Sequence, residues 1–113
     1  MRLCVAGAYG AFGMKHLDAL DNIEGVTVTS VMGPSENKIK ALAQARGIGH
    51  AATDLSECLE RDYVDAVILA TPTQLHAEQG IASMRAGKPV LIEIPMADSL
   101  ADSEEICRVQ KET

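Results

Sequence analysis

Three glycines near the start of the chain have a spacing that suits phosphate binding. Gly7, Gly10 and Gly13 follow a short apolar run and precede a helical pattern. In such a loop the first glycine allows a tight turn, the second lets the backbone approach a pyrophosphate, and the third lets the helix pack closely on a sheet. The amino end of the helix then offers free N–H groups and a partial positive charge to an anion. The loop therefore predicts a dinucleotide site; a plain tight turn and a site for mononucleotide or coenzyme A phosphates are the alternatives.

The loop departs from the usual dinucleotide fingerprint. Its spacing is G-x-x-G-x-x-G, so G-x-G-x-x-G would have a glycine where Tyr9 or Ala8 stands, while Gly10 and Gly13 keep the usual spacing. Tyr9 and Phe12 flank Gly10 and are expected to shape the cofactor cleft, unless Phe12 belongs to the core. The predicted cofactor contacts in this loop are Gly7, Ala8, Tyr9, Gly10, Ala11 and Phe12.

The end of the second predicted strand bears on the choice of cofactor. Domains that select NAD carry Asp or Glu there, about 20 residues past the loop, to bind the ribose 2′-hydroxyl. Here the segment contains Gly33, Pro34 and Ser35 and has no carboxylate. A carboxylate would repel a 2′-phosphate, so its absence favours NADP, with NAD as the alternative. We predict cofactor contacts at these three residues, although Ser35 could be only a helix cap; nearby Glu36 and the lack of an arginine count against NADP.

Polar residues and prolines also follow the fourth and fifth predicted strands. In open parallel sheets, ligands bind beyond the carboxyl ends of the strands. We therefore predict cofactor contacts at Thr71, Pro72, Thr73, His76, Glu93 and Pro95. His76 is a weak candidate for a catalytic base, and contact with the pyrophosphate or ribose, or a purely structural role, is the alternative. Glu93 is expected to bind the nicotinamide ribose or to pair with another side chain.

The elements that must position these residues alternate along the chain. Strand-like runs at 3–6, 26–32, 50–52, 66–70 and 90–92 are separated by helical patterns. This alternation predicts an α/β domain of the Rossmann type, a doubly wound parallel sheet with helices on both faces. Phe12 and His16 fall on the inward face of the first predicted helix, so His16 is expected to serve in packing. His50 is expected at the surface.

Composition excludes several other classes of protein. The 113 residues are 47% hydrophobic and 23% charged, which rules out a disordered chain. A net charge of −6 argues against nucleic acid or an anionic membrane as partner. There is no apolar run long enough to span a membrane and no signal peptide, so we expect a cytoplasmic protein. Cys4, Cys58 and Cys107 are expected to be reduced, buried thiols, and no spacing predicts a metal site.

Motifs spread over the whole chain resemble one family. Together with the glycine loop, the ordered segments Thr71-Pro72-x-x-x-His76, Ala86-Gly87-Lys88-Pro89-Val90 and Glu93-x-Pro95 resemble the N-terminal domain of the glucose–fructose oxidoreductase / inositol dehydrogenase (Gfo/Idh/MocA) family. The resemblance implies an NAD(P)-dependent dehydrogenase that acts on a small molecule. It also implies that residues 1–113 are a cofactor domain from a longer, homo-oligomeric protein, with an α+β substrate domain absent here. Alone, this domain is expected to be inactive.

One position departs from the family pattern. The family's Glu-Lys-Pro lysine lies near the nicotinamide and substrate, and Ile94 stands in its place here. The segment around it resembles one branch of the family, which uses NADP to oxidise the cyclic hemiacetal of a carboxy-hydroxymuconate semialdehyde to 2-pyrone-4,6-dicarboxylate in protocatechuate degradation. The alternatives are another sugar or polyol dehydrogenase and a module that senses NAD(P) without turnover. The catalytic base is expected in the absent domain.

Overall fold

A five-stranded parallel sheet forms the centre of the protein, which we describe from a computed structural model covering all of Met1–Thr113. The strand order is β3-β2-β1-β4-β5. The strands are β1 Arg2–Ala6, β2 Thr27–Met32, β3 His50–Ala52, β4 Ala66–Leu69 and β5 Val90–Ile92. The helices are α1 Ala11–Leu20, α2 Glu36–Arg46, α3 Leu55–Leu59, α4 His76–Arg85 and α5 Leu100–Glu112, with a 3-10 turn at Thr73–Leu75. This confirms the predicted Rossmann-type α/β fold.

Two apolar cores lie on opposite faces of the sheet. Successive side chains of a strand point to opposite faces, so Val5 joins the core under α1 and α2, while Cys4 joins the core that includes α3. Strands β1 and β4 are covered on both faces, which explains their continuous apolar sequences. The order of the strands places β1 beside both β2 and β4, so the loop after β1 lies at the topological switch point.

Two expectations about the core were wrong. Phe12 is 60% exposed, because it lies in the first turn of α1 and its ring faces outward beside the ammonium of Lys15. Cys107 is exposed on α5, whereas Cys4 and Cys58 are buried as expected. The 3.6-residue period of a helix identifies its inward face only approximately, and in the first turn of α1 the buried residue is Gly13 rather than Phe12.

The structure gives Lys88 a role that its sequence motif did not disclose. Its Nζ donates to the carbonyl oxygens of Val64 at 2.5 Å and Arg61 at 3.2 Å. These carbonyls belong to the turn that leads into β4, so the ammonium holds this turn against the start of β5.

No helix of the structure has both the length and the apolar character needed to cross a membrane. No group of three or more His, Cys, Asp or Glu side chains could hold a metal ion.

An ion pair between the starts of β1 and β4 makes the stability of the fold depend on pH in the acidic range. Arg2 donates to both carboxylate oxygens of Asp65 at 3.0 Å, and these hydrogen bonds lower the pKa of Asp65 to about 2. A depressed carboxyl pKa stabilises the fold above its unfolded value, about 3.9, and that contribution disappears as the pH falls through about 2. We expect Asp65→Asn to be less stable than the parent above about pH 4, with a difference that shrinks towards pH 2.

Urea denaturation between pH 2 and pH 6 measures this difference. Asp98→Asn is the matched control, because Asp98 is exposed and makes no ion pair. A difference between Asp65→Asn and the parent that stays constant across the whole range would contradict the prediction.

Candidate functional site

The glycine loop is tied to both neighbouring strands. The N–H groups of Gly7 and Ala8 donate to the carbonyl of Met32 at 2.8 and 3.2 Å, and that of Gly10 donates to Gly7 at 3.1 Å. Gly7 has φ +73°, and a Cβ there would lie 2.4 Å from the carbonyl oxygen of Ala70. The loops after β1 and β4 are therefore in direct contact, which only glycine permits at this position.

The amino end of α1 is open to an anion. Its N-cap residue, Gly10, has no side chain to accept a hydrogen bond, and its first turn has no acidic residue. Consequently the N–H groups of Ala11, Phe12 and Gly13 have no partner in the protein. By contrast α2, α3 and α5 are capped by the side chains of Ser35, Asp54 and Ser99. Helix α4 also has no capping side chain, but its first turn carries Glu78. Three free donors and the positive end of the helix dipole therefore make the amino end of α1 the helix terminus best suited to an anion.

This geometry refines the predicted phosphate contacts. The N–H groups of Gly7 and Ala8 are engaged by Met32 of β2 and that of Gly10 by Gly7, so these three residues offer close backbone approach rather than hydrogen bonds. Gly13, which was assigned only to packing, supplies one of the free N–H groups. A Cβ on Gly13 would also lie 2.0 Å from the carbonyl oxygen of Gly7, so the packing role holds as well.

Tyr9 crosses from the glycine loop to the turn after β2. Its Oη accepts from the N–H of Ser35 at 2.8 Å, and its ring lies over Gly33, where a Cβ would come within 2.4 Å of a ring carbon. Ser35 Oγ accepts from the N–H of Lys38 at 3.4 Å, so it caps α2, while Pro34 is exposed in the turn. Because each hydroxyl oxygen already accepts a main-chain N–H, its own hydrogen remains free to donate.

A cavity of about 470 Å³ opens beside this turn, on the face of the sheet that carries α3 and α4. The end of β2, the amino end of α3 and the outer side of α4 form its walls. Sequence reasoning missed these residues because they come from three separate segments and form no motif. They are Met32, Thr53, Asp54, Leu55, Ser56, Leu59, Leu75, Glu78, Gln79 and Ala82.

His76 is enclosed between the segments that follow β4 and β5. Its side chain is 1% exposed; Nε2 lies 2.8 Å from the carbonyl oxygen of Thr71, and Nδ1 lies 3.0 Å from that of Pro95. Both ring nitrogens therefore face main-chain carbonyls, which leaves neither of them available to a substrate. His76 has the geometry of a brace between two loops rather than that of a catalytic base.

The other predicted residues lie along the same edge. Thr71 is half-buried, and its hydroxyl donates to Gln79 Oε1 at 2.6 Å. Pro72 is exposed and Thr73 is half-buried at the start of the 3-10 turn. The peptide bond between Ile94 and Pro95 is cis. Glu93 is paired with His16 of α1, with 2.7 Å between Oε1 and Nε2, so the role of His16 goes beyond packing.

A parallel sheet with an uncapped helix at its switch point defines a dinucleotide-binding Rossmann domain. The chain matches the model of the Gfo/Idh/MocA oxidoreductase family with NAD-binding Rossmann fold over residues 1–113, and it belongs to that family. It is 55% identical over 113 residues to the 4-carboxy-2-hydroxymuconate-6-semialdehyde dehydrogenase of Sphingobium sp. SYK-6, matching all of this chain and 36% of that protein.

Other relatives support the family at lower identity. The chain is 34% identical over 97 residues to an NADP-dependent scyllo-inositol 2-dehydrogenase of Bacillus subtilis, covering 86% of this chain and 30% of that one. A crystal structure of a probable dehydrogenase from Thermotoga maritima superposes with a TM-score of 0.94 at 28% identity, covering 99% of this chain and 33% of that one. The chain thus spans about a third of the length of these relatives.

Proposed function

We propose that this chain is the cofactor-binding domain of an NADP-dependent dehydrogenase whose substrate is the hemiacetal of 4-carboxy-2-hydroxymuconate semialdehyde. The main support for cofactor binding is the open amino end of α1, which has three unpartnered N–H groups and no acidic side chain in its first turn. The 55% identity to the Sphingobium dehydrogenase supports the substrate. The substrate domain of the complete enzyme then follows this one, and the protein works as a homo-oligomer in the cytoplasm.

The residues present fit a dinucleotide along the carboxyl edge of the sheet. The free N–H groups of α1 would hold the pyrophosphate, and the cavity beside Met32 and Leu75 would receive the adenine. The segments after β4 and β5, which His76 joins, would border the nicotinamide. When bound, the nicotinamide supplies the hydride acceptor of the oxidation; the protein orients the reacting carbon and excludes water.

The turn after β2 favours the 2′-phosphate of NADP. No carboxylate ends the strand, and the hydroxyls of Tyr9 and Ser35 both keep a hydrogen to donate. The ammonium of Lys38 lies 5.8 Å from the centroid of the Tyr9 ring, on the same turn. Glu36, the nearby acid, is paired with Lys40 at 2.7 Å and so does not act as an isolated negative charge. The relatives include an NADP-dependent and an NAD-dependent dehydrogenase, so membership of the family leaves the nucleotide open. The residues of this turn are therefore the reason for proposing NADP.

Cofactor titration with and without Ser35→Asp tests this choice. We expect the parent to bind NADPH more tightly than NADH. In the variant the new carboxylate should repel the 2′-phosphate and accept from a 2′-hydroxyl, so that NADPH affinity falls by about tenfold or more and NADH becomes the better ligand. Nucleotide fluorescence measures both dissociation constants.

Ser99→Asp is the matched control, because Ser99 also caps a helix but lies on α5. It should leave both dissociation constants unchanged. A parent that binds NADH as tightly as NADPH would contradict the assignment of NADP.

One observation favours a second candidate function. Ile94 lies just after the carboxyl end of β5 and is 87% exposed, and its side chain has no group that could move a proton or bind a carboxylate. A domain that senses NAD(P) without turnover would tolerate this residue. Hydride transfer by the complete protein, followed at the absorbance of reduced nicotinamide with the hemiacetal supplied, separates the two: turnover supports the dehydrogenase, and tight binding without turnover supports the sensor.

A further inference from the structure

The ring of Tyr9 fills the space that a side chain at position 33 would need. Gly33 is buried, and a Cβ added to it would lie 2.4, 3.0 and 3.1 Å from three carbons of that ring. Gly33 does not have a positive φ, so its backbone conformation does not itself require glycine. The ring of Tyr9, rather than the backbone, is therefore what excludes a larger residue from this position.

Position 33 is the place from which Rossmann domains distinguish the two nucleotides. Where NAD is selected, Asp or Glu at the carboxyl end of β2 binds the ribose 2′-hydroxyl. Gly33 directly follows Met32, the last residue of β2, and its N–H donates to the carbonyl of Ala52 in β3 at 3.1 Å. It is therefore still held at the edge of the sheet, and the ring of Tyr9 lies where the carboxylate of an NAD site would be attached.

Two donors accompany the ring. The Oη of Tyr9 accepts from the N–H of Ser35 at 2.8 Å, which leaves its own hydrogen free to donate. The ammonium of Lys38 lies 5.8 Å from the ring centroid, within the range of a cation–π contact. The nearby acid, Glu36, pairs with Lys40 rather than with Lys38. A phenol hydrogen and an ammonium suit a phosphate, and no carboxylate is present to accept from a 2′-hydroxyl.

We propose that Tyr9 determines the nucleotide preference of this protein. Its ring keeps an acidic side chain out of position 33, and its hydroxyl donates to the 2′-phosphate of NADP. This inference rests on the proposed function and names the residue on which the choice of nucleotide depends. Lys38, placed against the ring, supplies the positive charge that an arginine provides in other NADP sites. It also gives a reason for a large side chain inside the glycine loop.

Tyr9→Phe keeps the ring and removes the hydroxyl, so it tests donation to the phosphate. We expect NADPH affinity to fall about tenfold, the scale of one hydrogen bond to a charged group. NADH affinity should stay unchanged, because NADH has no 2′-phosphate. Fluorescence titration with each reduced nucleotide measures the two dissociation constants.

Tyr63→Phe is the matched control for the loss of a phenol hydroxyl. Tyr63 precedes β4, at the opposite edge of the sheet, and its ring contacts that of His50. Its substitution should leave both dissociation constants unchanged. If Tyr9 only braced the turn at Ser35, Tyr9→Phe would weaken NADPH and NADH by the same factor, and that result would overturn the proposal.

Gly33→Asp and Tyr9→Ala together test the exclusion of an acid. With Tyr9 present, the new side chain must displace the ring and break its hydrogen bond to Ser35, so Gly33→Asp alone should bind both nucleotides more weakly than the parent. With the ring removed, the carboxylate has room, and the double variant should bind NADH more tightly than NADPH. Substitutions that act independently on the ratio of the two affinities would contradict the coupling of these positions.

The outcomes separate this inference from the proposed function. A parent that prefers NADPH, together with a Tyr9→Phe variant that keeps the parental ratio, would overturn the role of Tyr9 and leave the assignment of NADP intact. A parent that binds NADH as tightly as NADPH would instead contradict the proposed function. If Gly33→Asp alone does not fold, the double variant still decides, because a folded double variant that prefers NADPH would overturn the exclusion. Urea denaturation of each variant establishes that it is folded.

Discussion

Replacing Gly10 by valine is expected to weaken NADPH binding about 100-fold while the domain stays folded. Gly10 has φ −71° and ψ 168°, a conformation that valine adopts readily. The only atom within 4 Å of a Cβ there is the carbonyl oxygen of Gly7, at 3.3 Å, so a shift of a few tenths of an ångström accommodates it. The rest of the side chain would project over the open amino end of α1, where we propose that the pyrophosphate binds.

Fluorescence titration and urea denaturation of the same sample check both parts of this expectation. The free energy of unfolding should change by about 1 kcal/mol, whereas the loss of affinity corresponds to about 2.7 kcal/mol. Gly49→Val is the control, since a Cβ at Gly49 meets nothing within 4 Å and the residue lies outside the loop. Unchanged NADPH affinity in Gly10→Val would remove the loop from the cofactor site.

Gly13→Ala is expected to produce the opposite pattern, with a large loss of stability. A Cβ on Gly13 would lie 2.0 Å from the carbonyl oxygen of Gly7 and 2.8 Å from the Cα of Ala8. These are main-chain atoms, held by the hydrogen bonds of Gly7 and Ala8 to Met32, so they cannot turn aside as a flexible side chain would. Helix α1 must therefore move away from the sheet, at a cost of about 3 kcal/mol.

Thermal or urea denaturation in the absence of nucleotide measures this cost. Gly49→Ala, which adds the same methyl group in open space, should change stability by no more than about 1 kcal/mol. A Gly13→Ala protein that melts with the parent would show that the contact between α1 and the loop is looser than described. The two substitutions thus distinguish a glycine needed for cofactor binding, Gly10, from a glycine needed for packing of α1, Gly13.

The fold could be read from the sequence because its signals are local. The continuous apolar run of β4 requires burial on both faces, and only a parallel sheet with two helical layers provides that. Even the three-residue strand His50–Ala52 was predicted at its observed limits. The glycine loop could be predicted for the same reason, since each glycine avoids a steric clash with residues a few positions away or next to a neighbouring strand.

The candidate site was only partly legible, because its decisive contacts join distant segments. Two of the three histidines were misjudged from local pattern: His16, assigned to packing, is paired with Glu93, and His76, the weak candidate for a base, has both nitrogens against main-chain carbonyls. Helical periodicity gives the direction in which a side chain points but not what meets it there. The contact between His16 and Glu93 depends on β5 lying beside β4, a fact of topology.

By itself the sequence determined the class of domain, the glycine loop that we propose to hold the phosphates, and the absence of an acid after β2. These follow from spacing and residue type, which act over a few residues of the chain. Only the tertiary structure decided that Tyr9 braces the turn at Ser35, that α1 leaves three N–H groups free, and that His16 is paired with Glu93. Such contacts arise where loops from different strands converge at one edge of the sheet, and their partners are set by the packing of the whole fold.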